Sequence, residues 1–113
     1  MKKVVIYLFT LTFLIGINGL YATEALWEAC FSGDLRKVHR LILKKADVNY
    51  MVKSGITPLM GASLHNYSDV VKMLVENKAN VNASATKGST ALKLASKYAD
   101  SNLVVYLKDH GAQ

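Results

Sequence analysis

Residues that staple or break a chain are scarce here: 113 residues include one cysteine, one proline and seven glycines. A lone cysteine, Cys30, rules out an intramolecular disulfide framework, so stability has to come from packing. So little proline and glycine excludes collagen-like and low-complexity chains, and the length allows one small domain at most. Acidic residues number only eight and stand one at a time. No G-x-S-x-G, P-loop or G-x-G-x-x-G pattern is present. Charge is also missing near the start, where no charged residue follows Lys2 and Lys3 until Glu24.

That neutral stretch is the first positive feature. A basic start, an apolar run from Val4 to Ile17, a break at Asn18 and Gly19, and the small residue Ala22 match a secretory signal peptide. Cleavage is expected after Ala22, making residues 1–22 a leader and residues 23–113 the mature domain. An uncleaved anchor is the alternative, because about 18 apolar residues can span a bilayer, although Thr10, Thr12, Asn18 and Gly19 weaken such a span. Either way the remainder leaves the cytosol. Loss of Lys2 and Lys3 lowers the net charge from +6 to +4. The remaining lysines and arginines are dispersed from Arg36 to Lys108, a solvated surface and not a nucleic-acid footprint. Cys30 follows Trp27, Glu28 and Ala29, a poor context for a lipid, and is expected to be a buried free thiol.

The mature part repeats itself. Gly55-Ile56-Thr57-Pro58-Leu59 is matched by Gly88-Ser89-Thr90-Ala91-Leu92, 33 positions later. The same offset aligns Leu26, Leu59 and Leu92; Ala29, Ala62 and Ala95; Val38, Val71 and Val104; Leu41, Leu74 and Leu107; and Ala46, Ala79 and Ala112. Thr57 is a good N-cap and Pro58 a good first helical residue, so a helix is expected from Pro58 to about His65. Asn66 tolerates a left-handed turn, and Val71, Leu74 and Val75 put an apolar stripe on a second helix over residues 68–77. A helix pair of this size cannot bury its apolar face alone, and about three stacked units are the minimum for stability.

With Thr57-Pro58-Leu59-Met60-Gly61-Ala62, Asp69-Val70-Val71-Lys72-Met73-Leu74 and Ala79-Asn80-Val81-Asn82, the sequence resembles the ankyrin-repeat family, Met60 standing in the place of the signature His. The resemblance covers Thr23 to Gln113. It implies an all-α solenoid of three stacked helix-turn-helix repeats, about residues 23–54, 55–87 and 88–113, with two short β-hairpin loops. Departures are Lys45 and Lys78, where the family has a left-handed Gly, each costing about 1 kcal/mol, and Ala99 in place of the helix-to-helix Gly.

Chemistry is not expected. His39, His65 and His110 keep no ligand spacing, and a small helical stack lacks a deep cleft; no catalysis, metal or cofactor is anticipated. The resemblance implies surface recognition of another protein by hairpin tips and first helices. Carried over residue by residue, contacts fall at Tyr50, Met51, Val52, Lys53 and Ile56 of the first hairpin, Lys87 of the second, and Phe31, Leu64, His65, Lys97 and Tyr98 at helix ends. The first hairpin is the strongest candidate, since Tyr50, Met51, Val52 and Ile56 crowd large apolar side chains onto a short tip. Trp27 either covers the first repeat or faces a partner. Val105 and Tyr106 offer a weak end-to-end homodimer contact. The expected setting is the bacterial periplasm or beyond the cell, with the protein binding a periplasmic enzyme to inhibit, protect or support it. A membrane-tethered scaffold and a host-directed secreted effector remain as alternatives.

Overall fold

The computed structural model describes residues 21–113. The expected leader, apart from its last two residues, lies outside them. Six helices follow in order: α1 over described residues 21–32, α2 Leu35–Leu43, α3 Pro58–Leu64, α4 Ser68–Glu76, α5 Ala91–Tyr98 and α6 Ser101–Asp109. They pair as α1/α2, α3/α4 and α5/α6, one pair per repeat. Ala22 and Thr23, on either side of the expected cleavage point, both lie in α1 and are buried. None of the helices among the described residues is long and apolar enough to cross a membrane.

Local chemistry sets the helix starts. Thr57 accepts a hydrogen bond from the Met60 backbone N–H at 3.3 Å, and Thr90, Asp34 and Asp100 do the same for Lys93, Lys37 and Leu103 at 3.2, 3.1 and 3.0 Å. Each satisfies a donor that the first helical turn leaves without a partner. Helix ends are equally regular. The Ala46 N–H donates to the Leu41 carbonyl and Lys45 to Ile42, and the same two bonds recur at Ala79/Leu74 with Lys78/Val75 and at Ala112/Leu107 with Gly111/Lys108. This Schellman closure needs a left-handed residue at its turn. Lys45 and Lys78 accordingly adopt φ of 67° and 72°, where Gly111 has 94°.

The expected 33-residue columns are the interior. Leu26, Leu59, Val38, Val71, Leu74 and Leu107 are buried in one continuous core with Val70 and Leu103. Ala29, Ala62 and Ala95 are at most 1% exposed, which lets the first helices of neighbouring repeats pack close while the larger side chains fill the layer between pairs. Burial of each such Leu is worth about 1.5–3 kcal/mol. Leu92 and Val104, at the open end of the stack, are only half-buried.

Two expectations are corrected. No β-strand or hairpin exists among the described residues. The loop after α2 has a Val52 N–H to Ile56 carbonyl bond of 3.3 Å and the loop after α4 an Ala85 N–H to Ser89 carbonyl bond of 2.8 Å. An antiparallel pair exchanges bonds in both directions, and here neither is returned. The loop tips bond to each other instead, Thr86 N–H to the Ser54 carbonyl at 2.9 Å. The chain is therefore an all-α solenoid of helix-turn-helix repeats joined by tight loops. The second correction concerns Ala99, which has φ −112° and ψ 176°. Extended backbone suits any residue, so the missing Gly costs nothing there, whereas Asn66 takes the left-handed turn at φ 58°.

Candidate protein-docking surface

The loop tips and the first helices α1, α3 and α5 enclose a groove of about 540 Å³, open to solvent on one side. Its floor and walls are Phe31, Ile56, Met60, Leu64 and Leu94, and its rim carries Lys53, Ser54, Ala85, Thr86, Lys87 and Ser89. The missing side chain of Gly61 makes room for Phe31 in the groove wall. A Cβ there would stand 2.3 Å from the Phe31 ring, so Phe31 lies over the α3 backbone. On the far side Leu94, 33 positions after Gly61, supplies a large side chain.

Trp27 stacks on Phe31 with ring centroids 4.3 Å apart and donates its indole N–H to the Ile56 carbonyl at 3.1 Å. His65, the residue that ends α3, stands edge-on to Phe31 at 6.0 Å and near Tyr67 at 5.6 Å. The result is an aromatic row from Trp27 to Tyr67 behind the groove.

The residues anticipated from the sequence divide into three groups. Phe31, Lys53, Ile56, Leu64 and Lys87 come together in the groove. Tyr50 and Val52 do not; they line a separate cleft of about 220 Å³ with Glu24, Trp27 and Glu28. The remaining four are outside both. Met51 is 56% exposed, and His65, Lys97 and Tyr98 are exposed at helix ends, with the Lys97 ammonium 5.1 Å from the Tyr98 ring. The apolar tip is thus split between two pockets and solvent. Sequence reading missed Met60 and Leu94 as groove residues. Gly61 in a helix interior, beside large residues at the equivalent register, was the available signal.

Elsewhere the chemistry is quiet. Cys30 is fully buried and in no disulfide, and burial pushes its thiol up to about 12, far from the range where a thiolate reacts. Among the described residues no three His, Cys, Asp or Glu side chains gather as metal ligands. At the other end of the stack Val105 is 54% exposed. Tyr106 is half-buried instead, beside the Lys72 ammonium at 5.8 Å and the His110 ring at 4.1 Å.

Comparison with known proteins agrees with the geometry. A family profile described as ankyrin repeats, in three copies, matches residues 26–113. An ankyrin repeat and KH domain-containing protein of Caenorhabditis briggsae is 36% identical over 92 residues, covering 80% of this chain and 4% of that protein. Its human counterpart by name is 41% identical over 73 residues, 63% of this chain and 3% of that one. An ankyrin repeat protein of Rickettsia bellii is 36% identical over 72 residues, 64% of this chain and 43% of its own length. The chain thus spans only a few per cent of the first two relatives. With three stacked helix pairs and a profile match over nearly all the described residues, the chain belongs to the ankyrin-repeat family.

Proposed function

We propose that this domain is exported and holds a partner protein in the groove between its loop tips and first helices, acting on a periplasmic enzyme by inhibiting, protecting or supporting it. The observation that carries the docking part is the apolar floor of half-buried Phe31, Ile56, Leu64 and Leu94, laid over the buried Met60. Interface cores are enriched in aromatic residues and poor in charge, and this floor carries Phe31 with aliphatic neighbours and no charge. Export is supported by the sequence pattern of residues 1–22, a basic start followed by an apolar run and a small residue at the expected cut.

The test combines localisation with capture. The full-length protein is expressed with its leader, fractionated and weighed intact; a mass lacking residues 1–22, found in the periplasmic fraction, is the expected result. Partners are then captured with the wild type, with Leu64→Glu, and with Tyr50→Ala/Met51→Ala. Leu64→Glu is expected to release the partner, and the tip variant to retain most of it. Retention by Leu64→Glu with release by the tip variant moves the site to the cleft beside Trp27.

The exposure of Val105 favours a second, weaker contact between ends of two copies. Light scattering over a range of concentrations checks it, and Val105→Lys is expected to leave a strict monomer.

A further inference from the structure

We infer that the groove takes an acidic segment of the partner, with a large apolar side chain inserted between flanking carboxylates. This rests on the docking reading above and adds the chemistry of what docks.

The argument starts from the two lysines. Lys53 and Lys87 lie on tips of different loops, 34 positions apart in sequence. The fold brings them to one rim, because the residue after Lys53 and the residue before Lys87 are tied together. The Ser54 carbonyl accepts from both the Thr86 backbone N–H and the Thr86 hydroxyl, each at 2.9 Å. Both lysines line the groove and no carboxylate does. Two like charges held on one rim over a low-polarity floor raise the local positive potential and favour an anionic partner.

Two acids line a neighbouring cleft and not the groove. Glu24 and Glu28 belong to the separate cleft with Trp27 and Tyr50, and Trp27, stacked on Phe31, stands between the two. An acidic segment is therefore directed toward the Lys53 and Lys87 tips and away from the cleft of Glu24 and Glu28. A small amphipathic acid satisfies the same charges less well. Small-ligand sites bury most of their ligand's surface, whereas this groove is partly open to solvent.

The experiment selects a phage-displayed library of random linear peptides on the immobilised full chain. A large apolar residue flanked by Asp or Glu is expected to be enriched, and affinity of the best peptide is expected to fall about two- to fivefold for each lysine replaced, the range of an exposed ion pair. On Lys53→Glu/Lys87→Glu, whose folding is checked by circular dichroism, the flanking preference is expected to switch to Lys or Arg. Enrichment of neutral or basic flanks on the wild type, or a preference that survives the charge reversal, overturns the proposal. Leu64→Glu separates the two levels. If it abolishes an acidic-flank selection the groove is the site, and if it leaves selection intact the docking reading itself fails. Absence of any enriched peptide, with sodium decanoate alone shifting Trp27 emission, assigns the groove to small amphipathic acids and also overturns the proposal.

Discussion

Asn49 clasps Asn80 across the boundary between the first two repeats. The Asn49 side-chain oxygen accepts from the Asn80 backbone N–H at 2.7 Å while its nitrogen donates to the Lys78 carbonyl at 3.1 Å. Asn82 repeats the device one unit on, accepting from the Gln113 N–H at 2.9 Å and donating to the Gly111 carbonyl at 3.0 Å. Each clasp fixes the separation of two loops and so the shape of the groove. Asn49→Ala removes two bonds and is expected to cost about 1–2 kcal/mol, or about 4–8 °C in Tm per kcal/mol. Thermal unfolding followed by circular dichroism checks it, and a Tm within a degree or so of wild type contradicts the clasp.

Lys45 and Lys78 occupy left-handed turns, a conformation that costs an L-residue about 1–2 kcal/mol. Lys45→Gly and Lys78→Gly are each expected to raise stability by up to about 1 kcal/mol, since glycine's greater unfolded freedom offsets part of the gain. Gly33→Ala has the opposite sign. Gly33 has φ 77° and its added Cβ would meet the Tyr67 ring at 2.8 Å. Urea unfolding midpoints test all three.

Gly61 presents two opposing effects. Helix propensity favours Gly61→Ala by about 1 kcal/mol, but the new methyl collides with Phe31, and overpacking typically costs about 1–3 kcal/mol. The collision is expected to dominate. Trp27 is the only tryptophan and stacks on Phe31, so its emission reports the displacement directly. Unchanged emission with raised stability shows that Phe31 does not lie over Gly61.

Ser63 is fully buried and its Oγ has no hydrogen-bond partner. A buried hydroxyl left unpaired costs about 1–3 kcal/mol, so Ser63→Ala is expected to stabilise the fold by about 1 kcal/mol. Destabilisation by that substitution, read from the urea midpoint, means that the hydroxyl is paired in solution.

Asp100 is held below the usual carboxylate range first by the Leu103 backbone N–H and then by the Asn66 side chain. Its folded value is depressed, so the stabilisation is complete above the unfolded value of about 4 and is lost as pH falls through the folded one. Asp100 is fully exposed, so the effect is small. Asp100→Asn keeps a capping oxygen and is expected to flatten this acid limb of the stability profile; an unchanged limb refutes the assignment.

The stack was legible because its period is carried by apolar columns that have no other use. Leu41 and Ala46, for example, recur at a fixed offset because both side chains are buried in the core where the Schellman turn closes the helix. The groove was less legible. Ile56 reads as part of an apolar tip, yet its side chain lines the groove and its carbonyl accepts from the Trp27 indole, while Met51 remains in solvent. Local sequence does not encode that partition, which depends on an indole 29 positions away. The two β-hairpin loops were an implication of the family resemblance. Pairing within each loop lost to the bond between loops at Thr86 and Ser54, a tertiary choice. Ala99 looked strained by analogy with Asn66, but its helix α5 runs through residue 98, where α3 stops at residue 64, and leaves by extended backbone.

Hydrogen–deuterium exchange of the intact protein with and without its captured partner tests the docking face most directly. Protection is expected over residues 53–56, 60–64 and 85–89, with the outer helices α2, α4 and α6 unchanged. Protection confined to those outer helices, with the groove residues exchanging as in the free protein, contradicts it.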